Sequence, residues 1–398
     1  MRILVVNSFF PPHTTGSAHF TLDVAREYAG GGHEVLVLTT QVSGAPADEV
    51  RDGVRIVRVP ARTLTPGTLA FNYALPFVSR PGAVRRVRRI VRAFGPDVVH
   101  QNGQFFDLTF ITTWIAWRMG IPRVLTVHTP LMHTNRWLRG FLAAVDRTVL
   151  RALNAPGRPT MVGVDRYVCE MAQRRYRPRR GPVRFIPATL RIQDFVAGDG
   201  ARIRRLHHLD DRPVILSIGH VIPIRSRVPL VRALPHLVRE LPSVVVLVVG
   251  GVYDDEFQRL AEELGVEDHL VVVGRVPHRE VTDHLAAATV ECHDLDGHSL
   301  GITTLEAMAA GVPTFARVRR DVFPGIDLDE WPGLQVVEVA DPEAIAAALL
   351  ALLRSEALRE SVAAQQRAFV DRYFRCEVVA ASYLVLLAEL VRDDVPTG

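Results

Sequence analysis

The chain alternates short apolar segments with longer segments of helical spacing, and this order constrains the fold more than any other feature. Ile3–Val6 is apolar at every position, and Val214–Ile218 is interrupted by a single serine. Strands that are apolar on both faces belong to parallel sheets with helices on each side. Further strands are predicted at Glu34–Leu38, Val54–Val59, Asp97–His100, Arg123–Val127, Arg184–Pro187, Ser243–Val249, Leu270–Val273 and Thr289–Cys292. The sequence therefore predicts an α/β fold with parallel sheets.

The strand–helix order stops and restarts once. The stretch Arg191–Arg212 is polar and lacks periodicity, and the pattern resumes at Pro213. A chain of 398 residues can bury two α/β cores of ordinary size. We therefore predict two Rossmann-like domains, residues 1–195 and residues 196–375, followed by an amphipathic helix in residues 376–398. Ligands of open parallel sheets bind beyond the carboxyl ends of the strands, so two facing sheets would form a cleft.

Composition excludes several kinds of chemistry. All 47 basic residues are arginine, which excludes a lysine Schiff base and a P-loop. The net charge of +4 demands no polyanionic partner such as nucleic acid. The three cysteines form no CxxC pair, the N-terminus reads as a strand, and the longest apolar run is too short for a membrane span. We expect a soluble, cytoplasmic protein without a nucleic-acid partner.

The segment His298–Pro313 is the most informative for function. Gly301 stands where a loop enters a helix, and the N–H groups and dipole of a helix N-terminus bind anions. Glu306 lies about a turn and a half further along, since an α-helix has about 3.6 residues per turn. There its carboxylate could accept hydrogen bonds from a ribose diol. The alternative is an ordinary helix N-terminus with a solvated glutamate.

This segment resembles the signature of glycosyltransferase family four, in which Glu-x7-Glu precedes Ala-Met-Ala-x-Gly-x-Pro. Other segments resemble the family in the same order: Asn7–Pro12 with Gly16, Gly32–Val35, Thr126–His128, Gly219–Arg225, Val248–Gly251, Gly274–Pro277 and the closing helix at Tyr373–Leu390. The resemblance implies a GT-B fold, in which two Rossmann-like domains face each other across a cleft and the closing helix crosses back to the first domain. It also implies transfer of a sugar with retention of configuration and without a metal.

The resemblance assigns roles residue by residue. Arg225 and the backbone of Gly301–Thr303 would hold the diphosphate, Glu306 the ribose, and Arg275 with Val276 would border the base. Gly16 would allow close approach of the first-domain loop, and His128 would contact the sugar. The expected catalytic residues are His128, Arg225 and His298. The expected donor-binding residues are Gly16, Gly219, His220, Arg225, Gly250, Arg275, Val276, His298, Ser299, Leu300, Gly301, Ile302, Thr303 and Glu306.

Three positions depart from the family pattern. His298 replaces the first glutamate of the signature, His220 replaces the usual arginine, and Arg225 replaces the usual lysine. An imidazole cannot make the same contacts as a carboxylate or a guanidinium. The departures indicate an unusual donor sugar or a loss of activity. Two alternatives to a glycosyltransferase therefore stay open, a sugar-nucleotide epimerase of the same architecture and a nucleotide-binding pseudoenzyme.

Three further patterns in the sequence have a functional and a purely structural interpretation. Gly297–Gly301 fits a hydrolase nucleophile elbow, but no histidine follows Ser299 to complete a triad. The group His293, Asp294, Asp296 and His298 has metal-ligand chemistry, although the two-domain pattern favours a polar loop. The helix around Arg85–Arg92 is basic and amphipathic, which favours a solvated face over an anionic membrane contact.

The sequence thus predicts a glycosyltransferase that uses a nucleoside diphosphate sugar of the UDP or GDP type. The acceptor would be a small molecule or a lipid-linked molecule, in the biosynthesis of a specialised metabolite or a cell-surface glycoconjugate. No cofactor or metal is expected, because arginine and helix N–H groups can neutralise the leaving diphosphate.

Overall fold

The computed structural model describes residues 1–13, 15–64, 75–79, 81–131, 136–195, 198–222, 225–293, 295, 300–317, 319–336 and 341–393. Contacts divide the chain into two compact units. The first consists of residues 1–189 and the segment from Cys376 onward, and the second consists of residues 190–375.

The first unit is built on an eight-stranded sheet. In chain order its strands and a separate hairpin are β1 (Arg2–Asn7), β2 (Glu34–Thr40), β3 (Asp48–Arg51), β4 (Val54–Val59), β5 (Arg62–Leu64), β6 (Leu75–Phe77), β7 (Val98–Asn102), β8 (Arg123–Val127), β9 (Thr160–Gly163) and β10 (Arg184–Phe185). The sheet order is β10-β9-β8-β7-β1-β2-β4-β3, and β3 pairs antiparallel to β4 at the edge. β7 and β8 are buried along their whole length, which is the burial expected of a parallel sheet covered on both faces.

Helices before residue 190 cover this sheet. They are α1 (Gly16–Gly30), α2 (Pro81–Phe94), α3 (Asp107–Arg118), α4 (Arg136–Val145), α5 (Arg151–Asn154) and α6 (Arg166–Tyr176). α1 begins after Thr15, whose side chain accepts a hydrogen bond from the Ala18 N–H at 3.3 Å. It ends before Gly32, which has a φ of +80°. The glycine run therefore ends the helix as the sequence predicts.

Helix α2 carries the basic amphipathic pattern. Val87 and Val91 are buried in an apolar cluster with residues of β1, β2 and β4. The arginines on the other face are exposed: Arg85, Arg86, Arg88, Arg89 and Arg92. The helix thus packs on the sheet through its valines and presents arginine to solvent, as the favoured interpretation of its sequence requires.

The second unit is built on a smaller parallel sheet. Its strands are β11 (Val214–Ile218), β12 (Val245–Val249), β13 (Leu270–Gly274) and β14 (Val290–Glu291), with the short pair β15 (Phe315–Ala316) and β16 (Gln335–Val336). The sheet order is β13-β12-β11-β14. Its helices are α7 (Gly200–Leu206), α8 (Val228–Glu240), α9 (Glu256–Leu264), α10 (Val281–Ala287), α11 (Ile302–Ala309), α12 (Pro342–Arg354) and α13 (Glu356–Tyr373).

The polar stretch 191–212 is more ordered than its sequence suggests. It contains helix α7, which packs closely on α10 because two glycines let the backbones approach. A Cβ atom on Gly198 would lie 2.2 Å from the Thr282 carbonyl oxygen, and one on Gly200 would lie 2.3 Å from that of Ala286. The sequence places the boundary between the domains in this stretch, and contacts divide the two units directly before it, at Leu190, but the helix was not predicted. Helix α7 lacks a continuous apolar face, and polar contacts also hold it on α10. One of them is the ion pair of Arg202 with Asp283 at 2.6 Å.

The last helix, α14 (Cys376–Asp393), packs within the first unit. Its Tyr383 is fully buried and stacks on the His100 ring with 4.6 Å between centroids. The Tyr383 hydroxyl hydrogen-bonds Thr126 Oγ1 at 3.0 Å, and Phe20 of α1 lies edge-on to the same ring. This helix therefore completes one side of the first unit's core. None of the helices in the described residues is both long and apolar enough to cross a membrane.

Candidate active site

The loops that follow β11 and β12 touch each other through glycines. A Cβ atom on Gly250 would lie 2.2 Å from the carbonyl oxygen of Gly219. The two residues have φ angles of +140° and +129°, which side chains rarely adopt. Glycine is required at both positions, and Gly219 and Gly250 lie together at the carboxyl edge of the second unit's sheet.

His220 follows directly and is held as a neutral ring. Its Nδ1 accepts a hydrogen bond from the Gly251 N–H at 3.0 Å, so a neutral His220 carries its proton on Nε2. Desolvation lowers the pKa of His220, and the positive charges of Arg275, Arg225 and Arg227 lower it further. His220 therefore offers this edge a polar N–H group and no charge at pH 7.

The charge at this edge comes from arginines. Arg225 and Arg275 form no ion pair with any described acidic residue. The Arg275 guanidinium lies over the ring of Tyr253, 5.5 Å from its centroid. Arg227 is buried and donates to the carbonyl oxygens of Arg225 and Gly219 at 2.8 and 2.9 Å. The arginines that follow β11 and β13 thus form a cationic surface without a described carboxylate partner. Val276, which is partly buried, comes directly after Arg275.

Helix α11 begins beside these loops in the chain order that the sequence predicts. Gly301 occupies the position before the helix in an extended conformation and makes no side-chain cap. Leu300 is buried, whereas Ile302 and Thr303 are partly exposed on the first turn. His298 and Ser299 lie outside the described residues. The helix therefore begins directly after Gly301, where the sequence places a helix N-terminus.

Glu306 is a buried acid with a strongly raised pKa. Its side chain is 6% exposed, and it makes no hydrogen bond or ion pair with any described residue. Burial raises the pKa of Glu306 to about 8. A solvated glutamate, the alternative raised by the sequence, is wrong. A buried carboxyl without a described partner is a group whose hydrogen bonds a ligand can supply.

A second buried acid lies behind this helix, and sequence analysis did not single it out. Glu291 ends β14 and is bonded to His293 Nδ1, while His293 Nε2 lies 3.2 Å from Thr303 Oγ1. Glu291 and His293 are 0% and 1% exposed. The signal was present, because a glutamate inside a predicted parallel strand must be buried.

The metal interpretation of the loop concerns residues that are only partly described. His293 is the member of the proposed ligand group that the structure describes, and it is bonded to Glu291 and Thr303. Asp294, Asp296 and His298 lie outside the described residues. In the part of the chain that is described, no cluster of three potential metal ligands occurs.

Two predicted site residues, His128 and Gly16, lie in the first unit. His128 follows β8, lies 3.1 Å from Asn102 Oδ1 through Nε2, and meets the edge of the Phe20 ring. Burial lowers the pKa of His128 to about 4, so the ring is neutral at pH 7. Gly16 is exposed at the first residue of α1, and a Cβ atom there would meet nothing within 4 Å. Its immediate surroundings therefore do not explain the glycine.

The two sheets and the loop chemistry define a class of enzyme, the two-domain α/β glycosyltransferases. Residues 201–369 match the family model of glycosyl transferases group 1, and residues 15–189 match that of the glycosyl transferase 4-like domain. The chain belongs to this family of glycosyltransferases, and the resemblance found in its sequence is confirmed.

Curated relatives are similar over most of their length. A GDP-mannose-dependent alpha-(1-6)-phosphatidylinositol monomannoside mannosyltransferase of Mycolicibacterium smegmatis is 29% identical, covering 88% of this chain and 89% of the relative. A D-inositol 3-phosphate glycosyltransferase of Xylanimonas cellulosilytica is 28% identical, covering 94% of this chain and 91% of the relative. These matches favour a glycosyltransferase over the epimerase and pseudoenzyme alternatives.

Solved structures confirm the GT-B fold. HepE of Anabaena in complex with UDP superposes with a TM-score of 0.70 at 15% identity, covering 98% of this chain and 100% of that one. Sucrose-phosphate synthase of Thermosynechococcus elongatus superposes with a TM-score of 0.66 at 18% identity, covering 99% and 100%.

Proposed function

We propose that the chain transfers a sugar from a nucleoside diphosphate sugar to a small-molecule or lipid-linked acceptor, with retention of configuration. The observation that carries this proposal is the pair Arg225 and Arg275, which lack a described acidic partner beside the loops of Gly219 and Gly250. Such cations favour a ligand that brings two negative phosphates.

The same arrangement supports transfer without a metal. As the sugar–phosphate bond breaks, negative charge builds on the diphosphate. Guanidinium groups and helix N–H groups that are already in place stabilise that charge. In this scheme Arg225 and the first turn of α11 hold the diphosphate, and His220 adds an uncharged N–H donor. Activity should therefore survive EDTA, and a loss on chelation that manganese or magnesium restores would contradict this part of the proposal.

The rest of the donor would be held by less charged groups. Glu306 would accept hydrogen bonds from the ribose hydroxyls, and Arg275 with Val276 would border the base. On the first unit, Gly16 leaves room for a ligand and His128 presents a neutral ring to the sugar. No side chain is assigned as a general base, because the transfer is proposed to proceed through charge stabilisation and positioning.

The curated relatives and the similar solved structures suggest which donor sugars to test first. Several are named as GDP-mannose-dependent, and HepE was solved with UDP and with UDP-glucose. GDP-mannose and UDP-glucose are therefore the first candidates, and inositol-type acceptors the first to combine with them. His298 in place of the family's glutamate instead favours a sugar that differs from glucose-type donors around C3 and C4.

Two measurements test the proposal. Thermal shift with UDP, GDP, ADP and dTDP should identify one nucleotide that stabilises the protein. Turnover of a donor panel with and without acceptor should then require the acceptor, whereas sugar-nucleotide conversion without acceptor would indicate an epimerase. Comparing wild type with His298→Glu tests the unusual sugar, since gain of a common donor by the variant alone would support it. Efficient wild-type use of UDP-glucose or GDP-mannose would refute it.

A further inference from the structure

Helix α4 exposes large apolar side chains to solvent. Its Leu142 and Val145 are partly buried and pack against an apolar cluster that contains residues of β8 and β9. Trp137 and Phe141 are instead 89% and 64% exposed, and their spacing of four residues places them on the same side of the helix. A surface helix normally turns apolar residues to the core and polar residues to water. Solvent alone therefore does not explain this side of α4.

The exposed apolar surface continues along the chain and onto a neighbouring helix. A π-helical turn at Asp146–Leu150 joins α4 to α5, so residues 136–154 form one continuous helical segment. The end of this segment lies beside α3, because α5 contacts α3 and a Cβ atom on Gly157 would lie 3.5 Å from the Cβ atom of Trp117. Six exposed side chains of these helices form what we call the apolar patch: Trp114, Trp117, Trp137, Phe141, Val149 and Leu153. Exposed apolar residues grouped in this way mark a contact with a partner, whereas single ones need no explanation.

The charged groups that these helices expose are positive. From residue 107 to residue 154 the sequence contains two acids, Asp107 and Asp146. Both are buried, and Asp146 forms an ion pair with Arg175 at 2.6 Å. The arginines exposed on the same helices are Arg118, Arg139 and Arg147. The apolar patch is therefore accompanied by arginines and by no exposed carboxylate from this part of the sequence.

The patch also holds its aromatic and basic groups in direct contact. The Arg118 guanidinium lies over the Trp114 ring, 5.5 Å from its centroid. Tryptophan and arginine each combine an apolar body with a polar end, which suits the boundary between water and the acyl chains of a bilayer. Helix α2 exposes arginines but no large apolar side chain among its described residues, so it lacks the apolar half of this pattern.

We propose that the apolar patch docks the protein on the surface of an anionic lipid bilayer. Its aromatic and aliphatic side chains enter the boundary between headgroups and acyl chains, and the arginines beside it meet lipid phosphates. A second copy of the chain is a poorer occupant, because it would bring the same positive charge to the contact. The inference goes beyond the proposed function and does not depend on it, since binding to lipid needs neither donor nor acceptor.

Flotation of the full chain with lipid vesicles tests the proposal. The wild type should bind vesicles of phosphatidylcholine mixed with phosphatidylglycerol more tightly than vesicles of phosphatidylcholine alone, and added salt should weaken that binding. Trp137→Ser/Phe141→Ser should weaken binding to the mixed vesicles by about ten- to a hundredfold, the effect of withdrawing two aromatic side chains from the bilayer. Arg139→Gln/Arg147→Gln should weaken it by about tenfold and should have little effect on phosphatidylcholine vesicles.

A matched variant and a spectroscopic measurement separate docking from general effects. Val378→Ser/Val385→Ser removes two exposed apolar side chains from α14 of the same unit and should bind vesicles as the wild type does. Lipids brominated on their acyl chains should quench the tryptophan fluorescence of the bound wild type. Trp137→Phe keeps an aromatic ring, so it should still bind while the quenching decreases. Circular dichroism should show the same thermal unfolding for all of these variants, because the altered side chains are exposed.

Four outcomes would overturn the inference. The wild type could fail to bind the mixed vesicles, or it could bind phosphatidylcholine vesicles equally well. Trp137→Ser/Phe141→Ser could bind as tightly as the α14 control. Analytical ultracentrifugation could also show a dimer in the wild type and a monomer in Trp137→Ser/Phe141→Ser, which would assign the patch to a second copy of the chain. A protein that binds no nucleotide would refute the proposed function and leave the vesicle result unaffected.

Discussion

Glu306 offers the sharpest test of the site, because its carboxyl is buried without a described partner. Burial raises its pKa from 4.5 to about 8. Between these values the folded protein holds a proton that the unfolded chain releases. The free energy of unfolding therefore falls as pH rises through this window, since stability follows the difference in bound protons. Glu306→Gln removes this effect, because an amide does not titrate.

The magnitude follows from the two pKa values. The pKa of Glu306 is 4.5 in the unfolded chain and about 8 in the folded protein. Relative to a side chain that does not titrate, this difference lowers the free energy of unfolding by about 1 kcal/mol at pH 5, about 3 kcal/mol at pH 7 and about 4 kcal/mol at pH 8. Burial of the glutamine amide adds a constant that does not depend on pH. The stability of Glu306→Gln relative to wild type should therefore increase by about 3 kcal/mol between pH 5 and pH 8.

Urea unfolding followed by circular dichroism at pH 5, 6, 7 and 8 measures this difference. Comparing the two proteins at each pH cancels the titration of all other groups. Glu263→Gln is the matched control, because Glu263 is exposed on α9 and its variant should stay within about 0.5 kcal/mol of wild type. A stability difference between Glu306→Gln and wild type that stays constant across this range would refute the reasoning.

The same carboxyl links nucleotide binding to pH. If ribose hydroxyls donate to ionised Glu306, the ligand favours the deprotonated form, and affinity should rise as pH increases from 6 to 8. Glu306→Gln should lose this rise when both proteins are titrated with the same nucleoside diphosphate. Glu306→Ala should bind more weakly, by up to the ~1.5–3 kcal/mol of a charged hydrogen bond. Unchanged nucleotide affinity in the alanine variant would remove Glu306 from the ribose site.

Two further predictions concern charge. Arg225→Ala should lower turnover at saturating donor by about 10²–10³-fold, the effect of losing one group that stabilises developing charge, with little change in thermal unfolding; near-normal turnover would assign this role to another group. His128 and His100 are neutral in the fold because burial lowers their pKa values to about 4 and about 3. The unfolded chain takes up protons below pH 6.5, so unfolding free energy should fall as pH drops from 6.5 toward 4. His128→Gln should reduce that slope in acid titrations followed by circular dichroism, and an unchanged slope would contradict the lowered pKa of His128.

The sequence predicted the parts of the fold that have a strong local pattern. Strands β4, β8 and β11 have the predicted bounds, because each is a run of mostly apolar residues. β9 was missed because its four residues are too few to show a period. The predicted strand at Arg184–Pro187 is shorter, since β10 ends at Phe185 before Pro187. Helix α7 was missed because glycine contacts and ion pairs hold it rather than an apolar stripe.

The sequence also predicted some features of the candidate site and missed others. Gly301 was identified because glycine at a helix start has a direct backbone meaning, whereas Gly219 and Gly250 were identified through the family resemblance. The partner of His293 could not be predicted, since its bond to Glu291 depends on how β14 sits in the sheet. The raised pKa of Glu306 depends on burial by residues distant in the chain, which no local spacing shows.

The packing of α14 on the first unit has a consequence for synthesis of the chain on the ribosome. The strands of that unit are complete at Phe185, yet the helix that covers His100 and Phe20 begins at Cys376. Roughly 190 residues separate the two points, which is roughly 10–40 s of translation at 5–20 residues per second. During that time the nascent first unit exposes an apolar and aromatic surface that α14 covers in the folded chain. A pause late in translation should therefore favour chaperone binding to this protein more than a pause near residue 185 does.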